Sequence, residues 1–131
     1  MPPRGRIGLT AWTPDGFVGR MLRTVGQAAP PPAGVPSPLA WGDADAVARL
    51  LGPGVTVTST PRSHVFRYAD ARAWLTVFRG RYGPLRAAFA RPDVDAAALW
   101  AALTGLATEL STHPRRMEVP SPYLEVVAVK G

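Results

Sequence analysis

The sequence predicts an α/β domain of three main strands with helices on both faces. Three stretches carry that prediction. "GRIGLTAWTPDGFVGRML" at 5–22 runs from a strand through a tight turn into an amphipathic helix. "VTVTST" at 55–60 is dense in β-branched residues, which suit a pleated surface. "YLEVVAVK" at 123–130 sets Leu124, Val126 and Ala128 on one face and Tyr123, Val127 and Val129 on the other, with Glu125 as the polar exception. A strand apolar on both sides belongs in the middle of a helix-covered sheet. The last strand is therefore expected to be central, flanked by the strands near residues 5 and 55.

In chain order, the first strand is placed at 5–12. Ile7, Leu9 and Ala11 share one face; Gly8, Thr10 and Trp12 share the other. "TPDG" at 13–16 is a turn, with Pro14 setting the corner and Gly16 free to take positive φ. Phe17, Val18, Met21, Leu22 and Val25 form a helical stripe that Gly26 can end. "APPPAGVPSPLAWGD" at 29–43 reads as a semi-rigid loop lying on an apolar surface, its five prolines excluding a regular element. Asp43 caps a helix at 44–51 that "GPG" at 52–54 stops. Pro61 interrupts the strand at 55–60, and "SHVFRY" at 63–68 continues it as a bulged or second segment at a sheet edge. Asp70 caps a helix at 71–79, "GRYGP" breaks it, and a brief helix follows at 85–90. Asp93 or Asp95 opens the longest helix, 94–111, where Leu99, Leu103, Leu106 and Leu110 make a core stripe. Residues 112–122, with three prolines, read as a loop.

Composition narrows the function classes. The 131 residues suffice for one domain, and 47 % hydrophobic content marks a folding chain. There is no cysteine, which excludes disulfides and thiolate chemistry. No signal-peptide core or membrane-length apolar run is present, so a cytoplasmic protein is expected. The net charge is +6, from fourteen arginines and one lysine against nine acidic residues. The arginines are scattered, which argues against nucleic acid as a partner and for a solvated surface. A nucleic-acid binder requires them to converge on one face.

The segment at 5–22, the proline loop ending in "SPLAWGD" and the terminal "YLEVVAVK" together resemble the C-terminal half of class I S-adenosylmethionine-dependent methyltransferases. The small-molecule group containing the ubiquinone and menaquinone biosynthesis enzymes is the most similar. The resemblance covers residues 4–130. It implies a partial Rossmann-like methyltransferase sheet in which 5–12 is the fifth strand, 55–60 with 63–68 the sixth and 123–130 the seventh, the seventh inserted antiparallel between the other two. Residues 1–131 are then a single domain equivalent to the second half of a methyltransferase domain.

The family's cofactor site lies in its first half, on a glycine-rich loop after the first strand and an acidic residue ending the second. Neither is present; "GPG" at 52–54 follows a helix and precedes a strand, the wrong context for a nucleotide loop. The family uses S-adenosylmethionine, but no cofactor-binding residue is expected in this chain, which is read as truncated and inactive alone. The resemblance implies a separately encoded N-terminal methyltransferase half, or self-association through the edge of the 5–12 strand. The alternative is a non-enzymatic module that keeps the acceptor pocket.

The acceptor side remains. The resemblance assigns it to 12–41 and 64–84, and substrate-binding residues are expected at Trp12, Thr13, Phe17, Trp41, Phe78 and Tyr82. Trp12 and Thr13 end a sheet strand, where open α/β folds place ligands. Phe17, Trp41, Trp74, Phe78 and Tyr82 suit an aromatic wall for a small apolar or aromatic molecule. Arg79 and Arg81 can reach an anionic acceptor. His64 lacks a carboxylate partner at useful spacing and His113 lies in a loop, so no catalytic residue is assigned. Two distant histidines without cysteine make no metal site. Asp43, Asp45 and Asp70 read as helix-end groups.

Overall fold

The computed structural model describes residues 2–131. Among them, eight regular elements and one short 3-10 helix follow in order: β1 Arg6–Trp12, α1 Phe17–Ala28, the 3-10 helix Pro38–Gly42, α2 Ala44–Leu51, β2 Val55–Tyr68, α3 Ala71–Arg81, α4 Gly83–Ala90, α5 Ala96–Leu110 and β3 Met117–Lys130. The strands form one sheet in the order β1-β3-β2, so the C-terminal strand is central as the sequence predicts. β1 runs antiparallel to β3, in register from Arg6 opposite Val129 to Trp12 opposite Tyr123. Arg62 pairs with Glu125 and Arg67 with Glu118, so β2 is antiparallel to β3 as well.

The chain divides into two compact units. One holds residues up to Gly19, Pro36–His64 and Ser121–Gly131; the other holds Arg20–Val35 and Val65–Pro120. In the first, Val47 of α2 is buried with Leu124 and Val126 of β3, and Leu9, Leu51 and Val57 pack around them. In the second, α3 packs against both α4 and α5. Its core includes Trp74, Leu75, Leu85, Leu99 and Leu103, each 3 % exposed or less. Complete burial of one such leucine contributes about 1.5–3 kcal/mol before entropy is counted.

The buried positions of β3 change parity along its length. They are Met117, Val119 and Ser121 at one end and Leu124, Val126 and Ala128 at the other. Successive side chains alternate faces. The strand therefore buries its odd-numbered face over 117–121 and its even-numbered face over 124–128.

Three aspartates act as the sequence predicts. The carboxylate of Asp43 accepts from the backbone N–H of Asp45 and Ala46, and that of Asp70 from Ala73. Asp95, not Asp93, caps α5 by accepting from Ala98. Asp93 instead pairs with Arg91 at 2.6 Å.

Several boundaries differ from expectation. α1 continues past Gly26 to Ala28, and α3 extends through Gly80 to Arg81. α4 starts at Gly83 and α5 spans 96–110. Residues 30–38 are exposed rather than laid on an apolar surface. The loop then ends in a 3-10 helix, where the side chain of Ser37 accepts from Leu39 N–H.

The larger differences concern proline. β2 runs unbroken through Pro61, and β3 begins at Met117, so 117–122 is strand and not loop. Even-numbered residues of β3 turn their backbone groups toward the β1 side: Lys130 N–H donates to Gly5 O, and Pro122 O accepts from Thr13 N–H. β1 does not extend beyond the pair Trp12 and Tyr123, so the N–H groups missing at Pro120 and Pro122 have no strand to bond. At Glu118 the chain itself fills that margin, with Thr112 N–H donating to Glu118 O and Glu118 N–H to Ser111 Oγ. On β2 the same alternation, with Arg62 set against Glu125, turns Pro61 to the outer edge, where a proline is tolerated.

Candidate functional site

The C-terminal end of β1 is built from chain packed tightly on chain. Thr13 donates to Pro122 O through both its N–H, at 3.2 Å, and its Oγ1, at 3.3 Å. The Trp12 ring meets Tyr123 edge-on at 5.9 Å and 80°. A β-carbon on Gly42 would overlap the carbonyl oxygen of Trp12, and one on Gly19 would overlap the carbonyl of Pro14. A β-carbon on Gly16 would stand 2.5 Å from the Pro122 ring. Glycine at these positions lets backbone approach its neighbours closely. Phe17 is 1 % exposed, within the core, whereas Trp41 of the 3-10 helix is 37 % exposed. The first unit therefore gathers Trp12 and Thr13 beside the helix that carries Trp41.

Phe78 and Tyr82 belong to the second unit. Phe78 stands 5.2 Å from Tyr82, 5.3 Å from Trp74 and 5.7 Å from Phe66. Burial raises the pKa of Tyr82 above the ordinary phenol value. Arg79, expected as a contact for an anion, lies over the Phe89 ring at 4.6 Å and the Trp100 ring at 6.0 Å. That arrangement holds α3 against α4 and α5, contributing about 0.5–1 kcal/mol where exposed.

Neither histidine is buried, and His64 is exposed on β2. His113 Nδ1 accepts from the backbone N–H of Arg115, at 3.1 Å, and of Arg116, at 3.2 Å, so its ring organises a turn. The same loop borders a pocket of about 480 Å³ lined by Asp70, Thr108, Ser111, Thr112, His113 and Arg115, among others. Ser111 is not among the residues the sequence singles out. Its hydroxyl donates toward the carbonyls of His113 and Arg116 and accepts from Glu118 N–H. Its place just after α5 and before a proline turn is the local signal for that role. Among the described residues no group of three or more His, Cys, Asp or Glu could hold a metal ion.

A nucleoside-bearing cofactor needs a strand that leads through glycine-opened space into a helix N-terminus. The β1–α1 junction has the order of elements, but Pro122 and the carbonyl of Pro14 occupy the space that Gly16 and Gly19 leave. Gly52 and Gly54 stand at positive φ between a helix and a strand.

No protein-family model matches the chain. An uncharacterized protein of Mycobacterium tuberculosis is 39 % identical over 114 residues, which cover 85 % of this chain and 41 % of the relative. A protein of Mycobacterium bovis, also uncharacterized, shows the same match. A second uncharacterized protein of M. tuberculosis is 34 % identical over 109 residues, covering 81 % of this chain and 39 % of its own length. The chain spans about two-fifths of these relatives. Among the described residues no helix is long and apolar enough to cross a membrane.

Proposed function

We propose that the chain is the acceptor-side portion of an S-adenosylmethionine-dependent small-molecule methyltransferase, inactive without a cofactor-binding portion. The observation that supports this reading is the sheet order, with the C-terminal strand antiparallel between an early and a mid-chain strand. That order is the one expected for the last three strands of the family the sequence resembles. The length that the relatives carry outside the matched segment is room for a cofactor-binding half. Trp12, Thr13 and Trp41 then contribute to the wall that receives a flat or apolar acceptor, with Phe17 supporting it from the core. Phe78 and Tyr82 lie in the second stretch that the resemblance assigns to acceptor contacts. The role of this portion is positioning, on which methyl transfer to a bound acceptor depends. The partner in the reaction is the cofactor-binding half, joined along the open margin of β1.

Calorimetry tests the reading with two proteins. The 131-residue chain is expected to show no micromolar binding of S-adenosylmethionine, and the full-length mycobacterial relative is expected to bind it. A folded full-length relative that does not bind the cofactor overturns the reading.

A further inference from the structure

We propose that the cavity between the start of α3 and the end of α5 binds a small zwitterion, a molecule with an ammonium group at one end and a carboxylate at the other. Its lining comes from three places in the second unit: Asp70 and Ala71, Ala107 and Thr108, and the turn at 111–117. Its volume of about 480 Å³ falls within the range of small-molecule sites. None of the residues assigned to the methyl acceptor lines it.

The turn at 111–117 is held by its own hydrogen bonds. Ser111 Oγ accepts from the N–H groups of His113 and Glu118 and directs its proton toward the carbonyls of His113 and Arg116. Thr112 donates to Glu118 O through both its N–H and its Oγ1. His113 Nδ1 accepts from the N–H groups of Arg115 and Arg116, so the ring carries its proton on Nε2, which is left to donate. A wall already fixed in this way needs little further ordering when a ligand binds.

The charges around the cavity are unevenly matched. Arg116 bonds Glu118 at 2.8 Å, and Arg67 stands 4.0 Å from the same carboxylate. Two arginines share one carboxylate, and among the described residues the Arg115 guanidinium has none. Arg115 and the Nε2–H of His113 are donors for a ligand carboxylate. Asp70 is the opposite pole. Its Oδ1 accepts from Ala73 N–H at 2.7 Å, and its Oδ2 has no partner among the described residues. The hydroxyls of Thr108 and Thr112 direct their protons to Thr104 O and Glu118 O, so they present lone pairs to the cavity. A simple anion meets repulsion from Asp70, and a simple cation meets it from Arg115. A molecule that carries both charges satisfies each. Ala107 and Met117, 0 % and 2 % exposed, give an apolar floor for the carbon chain between them.

Amide NMR titration of the 131-residue protein tests this. The probes are 4-aminobutanoate and 6-aminohexanoate, each compared with the carboxylate and the amine of equal chain length. At least one zwitterion should shift the amides of 70–71 and 111–117 with a Kd of about 1 mM or below, the range open to so few atoms. It should bind about tenfold more tightly than either matched probe. Asp70→Asn keeps the cap of α3, because asparagine caps as well as aspartate, and removes the charge. In that variant the preference over the plain carboxylate should vanish. In Arg115→Gln the preference over the plain amine should vanish. Arg49→Gln, on α2, is the control and should keep both preferences.

A zwitterion bound no more tightly than its carboxylate overturns the proposal and makes this an anion site. One bound no more tightly than its amine overturns it in favour of a cation site. Absence of shifts with both zwitterions also overturns it. So does uniform weakening of all probes by Asp70→Asn and Arg115→Gln, which assigns those residues a structural role, or retention of both preferences in the two variants.

Discussion

Gly42 lies so close to the carbonyl oxygen of Trp12 that a β-carbon at residue 42 would overlap it. The 3-10 helix is seated on the end of β1 by this contact. Gly42→Ala is therefore expected to destabilise the protein by about 1–3 kcal/mol, the range for forcing volume into a packed site. Gly105→Ala is the comparison. It lies within α5 with nothing near its β-carbon position, and should stabilise by about 0.5–1 kcal/mol. Urea denaturation of both variants measures the contrast in sign.

Asp93 and Asp95 are two residues apart and do different work. Asp95→Ala removes the acceptor for Ala98 N–H and should cost about 1 kcal/mol. Asp93→Ala loses an exposed pair with Arg91, so its unfolding midpoint should stay close to that of the unmodified protein. Arg91 depresses the pKa of Asp93, first through their hydrogen bond. What that pair contributes is present above the unfolded carboxylate pKa and is lost as pH falls through the lower folded value.

Ser111 bridges the end of α5 to β3. Ser111→Ala deprives Glu118 N–H and His113 N–H of an acceptor and should cost about 1–3 kcal/mol. Hydrogen exchange should accelerate at Glu118 and leave the amides of α2 unchanged.

Tyr82 gives an alkaline signature. Its folded pKa is raised by burial, so the stabilisation linked to its protonated form is complete below the unfolded value, about 10, and disappears as pH rises through the folded value. Phenolate absorbance of the folded protein should show a late phase that Tyr82→Phe abolishes. A titration unchanged by the substitution contradicts the burial effect.

Most of the fold can be read from local chemistry. Caps at Asp43 and Asp70, the stop at Gly52 and the two-faced pattern of 123–130 each announce themselves in a few residues. Pro61, Pro120 and Pro122 mislead for one reason. A proline breaks a ladder only on the side toward which its nitrogen points, and sequence does not tell which side holds a neighbour. The aromatic residues of the candidate site are visible by type, but the tilted ring contacts of Phe78 with Trp74 and Tyr82 depend on helix phase and packing. Ser111 is hidden because its partners are distributed over a turn and a strand.

The proline in β2 has a consequence for polymerisation. With Pro61 interrupting the donor row on one outer border and β1 offering Gly8 and Thr10 on the other, recruitment of foreign strands is directional. Two molecules meeting border to border through β1 exhaust that valency, so misassembly of this protein should stop at pairs rather than propagate into fibrils.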